Sequence, residues 1–427
     1  MRRPISEEPS KPVEPIMPST PPPAEGGTTF VAMRHRNYQL YFGGQLISNI
    51  GTWMQVIAQG WVVYQLGHSE LTLGLVAFAS AIPTLIISPW GGVVVDRVSR
   101  RNLLMMTQAG AMLLAFALAL LTFANVVKEW HVIVLAALLG VVNAFDAPAR
   151  QAFVPEMVGK RDLPNAIALN SMMFNSARVI GPAIAGLMLA AIGAAWCFTL
   201  NGISYFAVLA GLWWMKLPPH RSTQHTTSPW QQMVSGVKYA AGYREISALI
   251  LLSLVFSIFG VSYFTILPAF VEKILNQGAI AYGWVNAASG LGAITGALVL
   301  ASPLSNGKRG RILVITNLIF PILLIAFSFV RIYWLSLVLA YGLGVGFMTQ
   351  FTTINTLLQT RVDDAFRGRV MGLYTLTFFG FAPFGNLMIG ALGEKMGLSF
   401  AMTLFACLSL ILSRVVLTKT PEVQSLA

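Results

Sequence analysis

Apolar runs of about twenty residues, separated by short polar breaks, recur along nearly the whole chain. Twelve such runs stand out: 39–66, 71–92, 102–125, 131–154, 165–191, 194–215, 246–270, 280–301, 311–329, 333–357, 370–392 and 397–418. Each is long enough to cross a hydrocarbon core of about 30 Å as a helix. In lipid a backbone must satisfy its own hydrogen bonds, so the runs predict helices and not open strands. The pattern therefore predicts an all-α membrane protein with twelve transmembrane helices around a central cavity.

The longest polar interruption, "KLPPHRSTQHTTSPWQQMVSGVKYAAGYRE" over 216–245, divides the runs six and six. The predicted organisation is a disordered cytosolic tail (1–33), a first bundle (34–216), a linker (217–245), a second bundle (246–418) and a short cytosolic tail (419–427). From Ser228 onward the linker can form an amphipathic helix lying on the inner membrane face. The two bundles read as pseudo-repeats. A shift of 209 superposes Gly74 on Gly283, Val76 on Val285, Ser80 on Ser289 and Arg100 on Arg309, and a shift of 201 superposes Pro182 on Pro383. Repeats around a cavity suit an alternating-access carrier.

Composition sharpens this picture. With 56% hydrophobic and 10% charged residues, the chain has too little polar sequence to cover a soluble globule. The net charge of +12 raises the question of nucleic acid, but placement answers it. Of the 28 Lys and Arg, Arg178 lies inside a run, and Lys128, Lys273, Arg331 and Lys395 fall on one side of the membrane. The others fall on the opposite side, as the positive-inside rule requires if both termini are cytoplasmic. No nucleic-acid partner is expected. Cys197 and Cys407 lie in helical runs and make no disulfide framework, and the five histidines lack ligand spacing, so neither metal nor cofactor is expected. The tail has no apolar core and does not read as a signal peptide.

Charge concentrates at "GGVVVDRVSRR" (91–101), between the second and third runs. Gly92, Asp96, Arg97, Arg100 and Arg101 in this spacing resemble the loop signature of the major facilitator superfamily, with Ser99 where that family usually has glycine. The resemblance covers 34–418. It implies that Asp96 caps the start of the eleventh helix, near Gly368 to Met371, and that Arg100 meets an acid at the end of the fourth, best matched by Glu156. A carboxylate is favoured at a helix start, where unpaired N–H groups carry partial positive charge. Topology alone accounts for the arginines and leaves Asp96 unexplained.

Gly181-Pro182-Ala183-Ile184-Ala185-Gly186 resembles the helix 5 element of antiporter branches of the superfamily, while Ala136, before Gly140, stands where drug antiporters carry a basic residue. The stretch 145–186, "FDAPARQAFVPEMVGKRDLPNAIALNSMMFNSARVIGPAIAG", is similar to the enterobactin-exporter and macrolide-efflux branch, the transmembrane secretion effector group. That resemblance implies export of siderophore-, antibiotic- or drug-like molecules from a bacterial cell across its inner membrane, energised by protons. A periplasmic or outer-membrane efflux partner is compatible with such a role.

Charges at membrane depth are costly and seldom unpaired. Asp146 and Arg178 lie at depth and are expected to meet, with Arg150, one helical turn from Asp146, as the rival partner. Asp146 then either couples protons or only bridges helices. In the first helix Gln45, Ser48, Thr52, Gln55 and Gln59 recur at spacings of three and four, one polar face that should line the cavity or pack on a neighbour. Asn143, Asn286, Tyr341 and Gln350 are further cavity candidates, whereas Trp53 and Trp61 read as packing residues. An importer on the same fold, or a receptor or enzyme, is the alternative. Scarce carboxylates and histidines at depth argue against an enzyme, and no nucleotide-binding loop is present.

Overall fold

The computed structural model describes residues 30–216, 229–302 and 307–426, and among these every regular element is helical. The elements are α1 (Arg36–Gly67), α2 (Glu70–Arg97), α3 (Arg100–Phe123), α4 (Glu129–Ala191), α5 (Ala194–Trp214), α6 (Pro229–Gly242), α7 (Arg244–Val255), α8 (Leu267–Lys273), α9 (Ala279–Ala301), α10 (Arg309–Phe329), α11 (Tyr333–Arg361), α12 (Asp364–Met396) and α13 (Leu398–Lys419).

Ten segments of the described residues are long and apolar enough to cross a membrane. The polar face of α1 keeps it out of that set. One segment, α4, has 63 residues and would run about 95 Å if straight, three times the hydrocarbon core. It does not run straight: Gly159, at φ 71° and ψ 174°, breaks it into arms 129–158 and 160–191. That combination of φ and ψ is open essentially to glycine alone, so this residue kinks the chain between two apolar runs of the sequence pattern. Between α7 and α8 a π turn (Phe256–Gly260) and a 3₁₀ turn (Ser262–Ile266) carry the helix on in distorted form.

Arms and helices pack in two sets. In the first half α1 lies against α4 and α5, and α2 against α4; in the second, α11 lies against α9 and α10, and α10 against α13. The halves meet where α2 packs on α12 and where α4 packs on α9. Glycine permits both approaches. A Cβ on Gly74 would lie 2.7 Å from the Asn386 carbonyl oxygen of α12, and one on Gly283 would lie 2.6 Å from the Pro182 carbonyl oxygen of α4. Without side chains, backbones come together and gain van der Waals contact, which drives association in lipid.

Both expected tails are partly built in. Residues 1–29 lie outside the described residues, but Val31–Arg34 form a 3₁₀ turn, with Ala32 buried and its N–H donating to Asn165 Oδ1 at 3.0 Å. At the other end Pro421–Ser425 form a 3₁₀ turn with Val423 buried, and the Gly310 N–H donates to the Leu426 carbonyl at 2.8 Å. The second part of the linker forms α6, which is held by protein. Tyr239 stacks on Phe366 at 4.4 Å, and its hydroxyl donates to Asp363 Oδ2 at 2.9 Å.

Candidate functional site

Asp146 is 5% exposed, and three donors converge on its carboxylate. Thr107 Oγ1 and Gln108 Nε2 from α3 each donate to Oδ1 at 2.7 Å, and Arg150 Nε donates to Oδ2. The partner is therefore Arg150 and not Arg178, which corrects the first expectation from sequence. Residues four apart on a helix face each other, and donors from α3 fill the remaining acceptor positions. Arg150 in turn donates to Gln45 Oε1 on α1, so one buried network ties α1, α3 and α4 together.

Arg178 has different surroundings. Its guanidinium lies 4.6 Å from the Phe347 ring centre and 5.8 Å from those of Trp53 and Phe264. Trp53 comes from α1 in the first half, while Phe264 and Phe347 belong to the second. Cation–π attraction of this kind offsets part of the cost of removing the charge from water. Among the described residues Arg178 has no carboxylate partner.

The polar face of α1 serves mostly its own bundle. Gln45, Ser48 and Gln55 are buried, and Gln55 Oε1 accepts from Asn201 Nδ2 of α5 at 2.7 Å. Gln45 and Gln55 fasten helices, Ser48 is buried beside them, and Thr52 and Gln59 are half-buried. Gln350 is also buried, donating to Asn317 Oδ1 at 3.0 Å within the second half. Tyr341 donates to Thr295 at 2.9 Å, Asn286 bonds one turn back to the Tyr282 carbonyl at 2.9 Å, and Asn143 is exposed.

The 91–101 stretch is split by the fold: α2 continues through Arg97, and α3 begins at Arg100. Arg100 donates to Glu156 Oε1, the acid matched to it from sequence. Arg101 donates to the Trp213 carbonyl at 2.8 Å, a cation at the carboxyl end of α5. Arg97 is exposed. Gly92 and Asp96 sit in the last turns of α2, and the Asp96 side chain and its expected cap on α12 lie outside the described residues.

Gly181, Pro182 and Gly186 form a double crossing. A Cβ on Gly181 would lie 2.6 Å from Trp53 Cβ of α1, and one on Gly186 would lie 3.0 Å from Gly283 Cα of α9. The element thus packs one face on its own half and the next turn on the other half.

Sequence reasoning missed a cluster at the opposite end of the bundle from Arg100. Glu70, 2% exposed at the start of α2, accepts from Lys273 Nζ of α8 at 2.7 Å. Glu394, near the end of α12, accepts from the Leu71 N–H at 3.0 Å and from the Ser69 hydroxyl, and Gln65 donates to Glu272. All of these join the two halves. The available signal was the scarcity of charge in the connections on that side, which makes each charged residue there conspicuous.

Residues 27–426 match the family described as transmembrane secretion effector. The chain is 26% identical over 364 residues to the staphyloferrin A transporter of Staphylococcus aureus, covering 84% of this chain and 90% of that protein. It is 26% identical over 399 residues to the multidrug efflux pump Tap of Mycolicibacterium fortuitum, covering 89% and 95%. It is 24% identical over 376 residues to the enterobactin exporter EntS of Shigella boydii, covering 85% and 86%. In fold it resembles a mutant of the nucleoside transporter NupG, at a TM-score of 0.71 and 12% identity, covering 91% of this chain and 99% of that one. A D-xylose–proton symporter superposes with a TM-score of 0.69 at 14% identity, covering 92% and 98%. The apolar helices, the two halves meeting through glycine and this match over nearly the whole chain lead to one conclusion: the protein is a multi-pass membrane transporter of the major facilitator superfamily, a member of its transmembrane secretion effector family.

Proposed function

We propose that the chain exports amphipathic small molecules across a bacterial inner membrane by alternating access, in exchange for protons. The observation that carries this reading is the paired contact between halves: α2 on α12 through Gly74, and α4 on α9 through Gly186 and Gly283. Two rigid bundles joined along two such seams can rock about them. Residues 209 apart, Gly74 and Gly283, serve the two seams in the same way, which supports two six-helix repeats. Twelve crossings follow when α1 is added to the apolar segments and the arms of α4 are counted separately.

In this reading both termini and the Arg100 end face the cytoplasm, following the positive-inside distribution. The Glu70 end then faces outward, and its inter-half bonds seal it. Asp96 acts in the opposite state, capping α12 when the cytoplasmic end closes. Outward direction is supported by the relatives named as exporter and efflux pump. Asp146 is the proposed coupling carboxylate, since a proton placed there would release Arg150 and, through it, Gln45 of α1. Thr52, Gln59 and Asn286 remain the proposed cavity contacts from the original set. Transport assayed in everted membrane vesicles, with and without an uncoupler, tests direction and energy source together.

A further inference from the structure

Arg178 is a charge at membrane depth that meets aromatic rings and, among the described residues, no carboxylate. The second arm of α4 spans 160–191, so Arg178 lies about 27 Å along it from Lys160 and about 20 Å from Ala191, well inside the membrane layer. An ionisable side chain at such depth is expensive to keep and is ordinarily paired. Asp146 cannot serve, because Arg150, Thr107 and Gln108 occupy it. No described carboxylate meets Arg178.

Its location is equally informative. The Arg178 carbonyl lies 3.0 Å from where a Cβ of Gly290 on α9 would stand, so the residue sits at a seam between the halves. The rings around its guanidinium come from both halves. Phe264 is delivered by the 3₁₀ turn that follows a π turn, a distortion often found at functional positions. Beyond the guanidinium the aromatic surface continues: Phe347 stacks on Phe351 at 6.2 Å and a 6° interplanar angle, and Phe174 lies 5.6 Å from Trp53. A permanent cation beside ring faces at the seam offers one charged anchor and an apolar platform.

We propose that Arg178 is the substrate's anionic anchor. The transported molecules are amphiphiles bearing a carboxylate or a similar planar oxyanion on a ring-containing apolar body. Guanidinium binds such a group through two parallel N–H donors, and the rings hold the body. Because rings from both halves contribute, the site is complete only while the halves approach at this level, and the bound anion supplies the counter-charge that no described carboxylate provides. This assignment rests on the transporter reading above and names its substrate class.

The test is equilibrium binding to the full chain in lipid nanodiscs by titration calorimetry, corrected with empty nanodiscs. The probes are 4-phenylbutyrate, its amide and 4-phenylbutylammonium, which share a body and differ in charge. Wild type should bind the carboxylate about tenfold or more tightly than either of the others, the scale of a charge-assisted hydrogen bond. Arg178→Gln should bring the three within about twofold, and Arg178→Lys should keep part of the preference. Wild-type binding of the carboxylate that is no tighter than that of the amide overturns the assignment, and this comparison needs no variant to fold. A preference undiminished in monodisperse Arg178→Gln protein overturns it as well. No gradient is present, so failure of export or proton coupling in vesicles would leave the binding result standing, and the reverse also holds.

Discussion

The Glu70 carboxylate lies 2.7 Å from the Lys273 ammonium, across the boundary between the two halves of the chain. Glu70 is buried and Lys273 is half-exposed, so the pair is worth less than a fully buried bridge and more than a surface one. Beside it, the start of α2 directs its Leu71 N–H to Glu394 of α12. Free N–H groups at a helix start favour a carboxylate. Together these contacts hold one end shut, and opening that end requires them to part.

Neutralising this seal should shift the equilibrium between states without unfolding the bundles. In Lys273→Met, Glu70 keeps its burial and loses its partner, so the closed end should loosen. Thiol labelling at a cysteine placed at Thr72 should quicken several-fold from the Glu70 side. Labelling unchanged from wild type would show that the pair is incidental to closure.

The glycine seam gives a second expectation. Gly186→Val places atoms against Gly283 and the carbonyls of Ala279 and Ile280, and overpacking of this kind costs about 1–3 kcal/mol. The halves should then fail to close at this level, and transport should fall by about tenfold or more at that cost. Gly43→Ala, where nothing lies within 4 Å, is the control and should behave as wild type. Equal activity of the two variants would remove the seam from the mechanism.

The network at Asp146 separates coupling from scaffolding. Asp146→Asn or Arg150→Gln alone strands a buried charge, typically at a cost of about 3–5 kcal/mol, and should lower thermal stability. The double variant should recover most of that stability, whereas pairing Asp146→Asn with Arg178→Gln should not, because Arg178 touches rings and not Asp146. If Asp146 carries the proton, the Asp146–Arg150 double variant should fold and equilibrate substrate downhill without concentrating it. Full uphill transport by that variant would confine Asp146 to holding helices.

Asp96→Asn should leave expression near wild type while raising thiol accessibility at the Arg100 end, since the proposed cap on α12 contributes about 0.3–1 kcal/mol to one state only. Accessibility equal to wild type would count against that cap.

Much of this architecture was legible in the chain because lipid imposes one strong rule: apolar runs of membrane length become helices. The bend at Gly159 falls between two apolar runs of the sequence pattern, whereas the meeting of Arg100 with Glu156 comes from the family resemblance and not from local sequence. Partner choice at depth was less legible. Periodicity shows that Gln45, Ser48 and Gln55 share a face, but only packing shows that Gln45 meets Arg150 and Gln55 meets Asn201. The Asp146–Arg178 expectation failed for the same reason, since separation along two helices does not report rotation about them. Glu70, Lys273 and Glu394 lie more than a hundred residues from their partners, and no local pattern joins them.

Proton-driven export is best tested in everted membrane vesicles. Vesicles from cells with and without the chain are energised by respiration and offered a panel of radiolabelled ring-bearing amphiphiles. At least one compound should be concentrated inside only when the chain is present, and it should leak out on addition of an uncoupler while ATP is regenerated. Accumulation that persists under the uncoupler with ATP maintained, or chain-dependent movement only in the inward direction of the intact cell, would contradict proton-driven export.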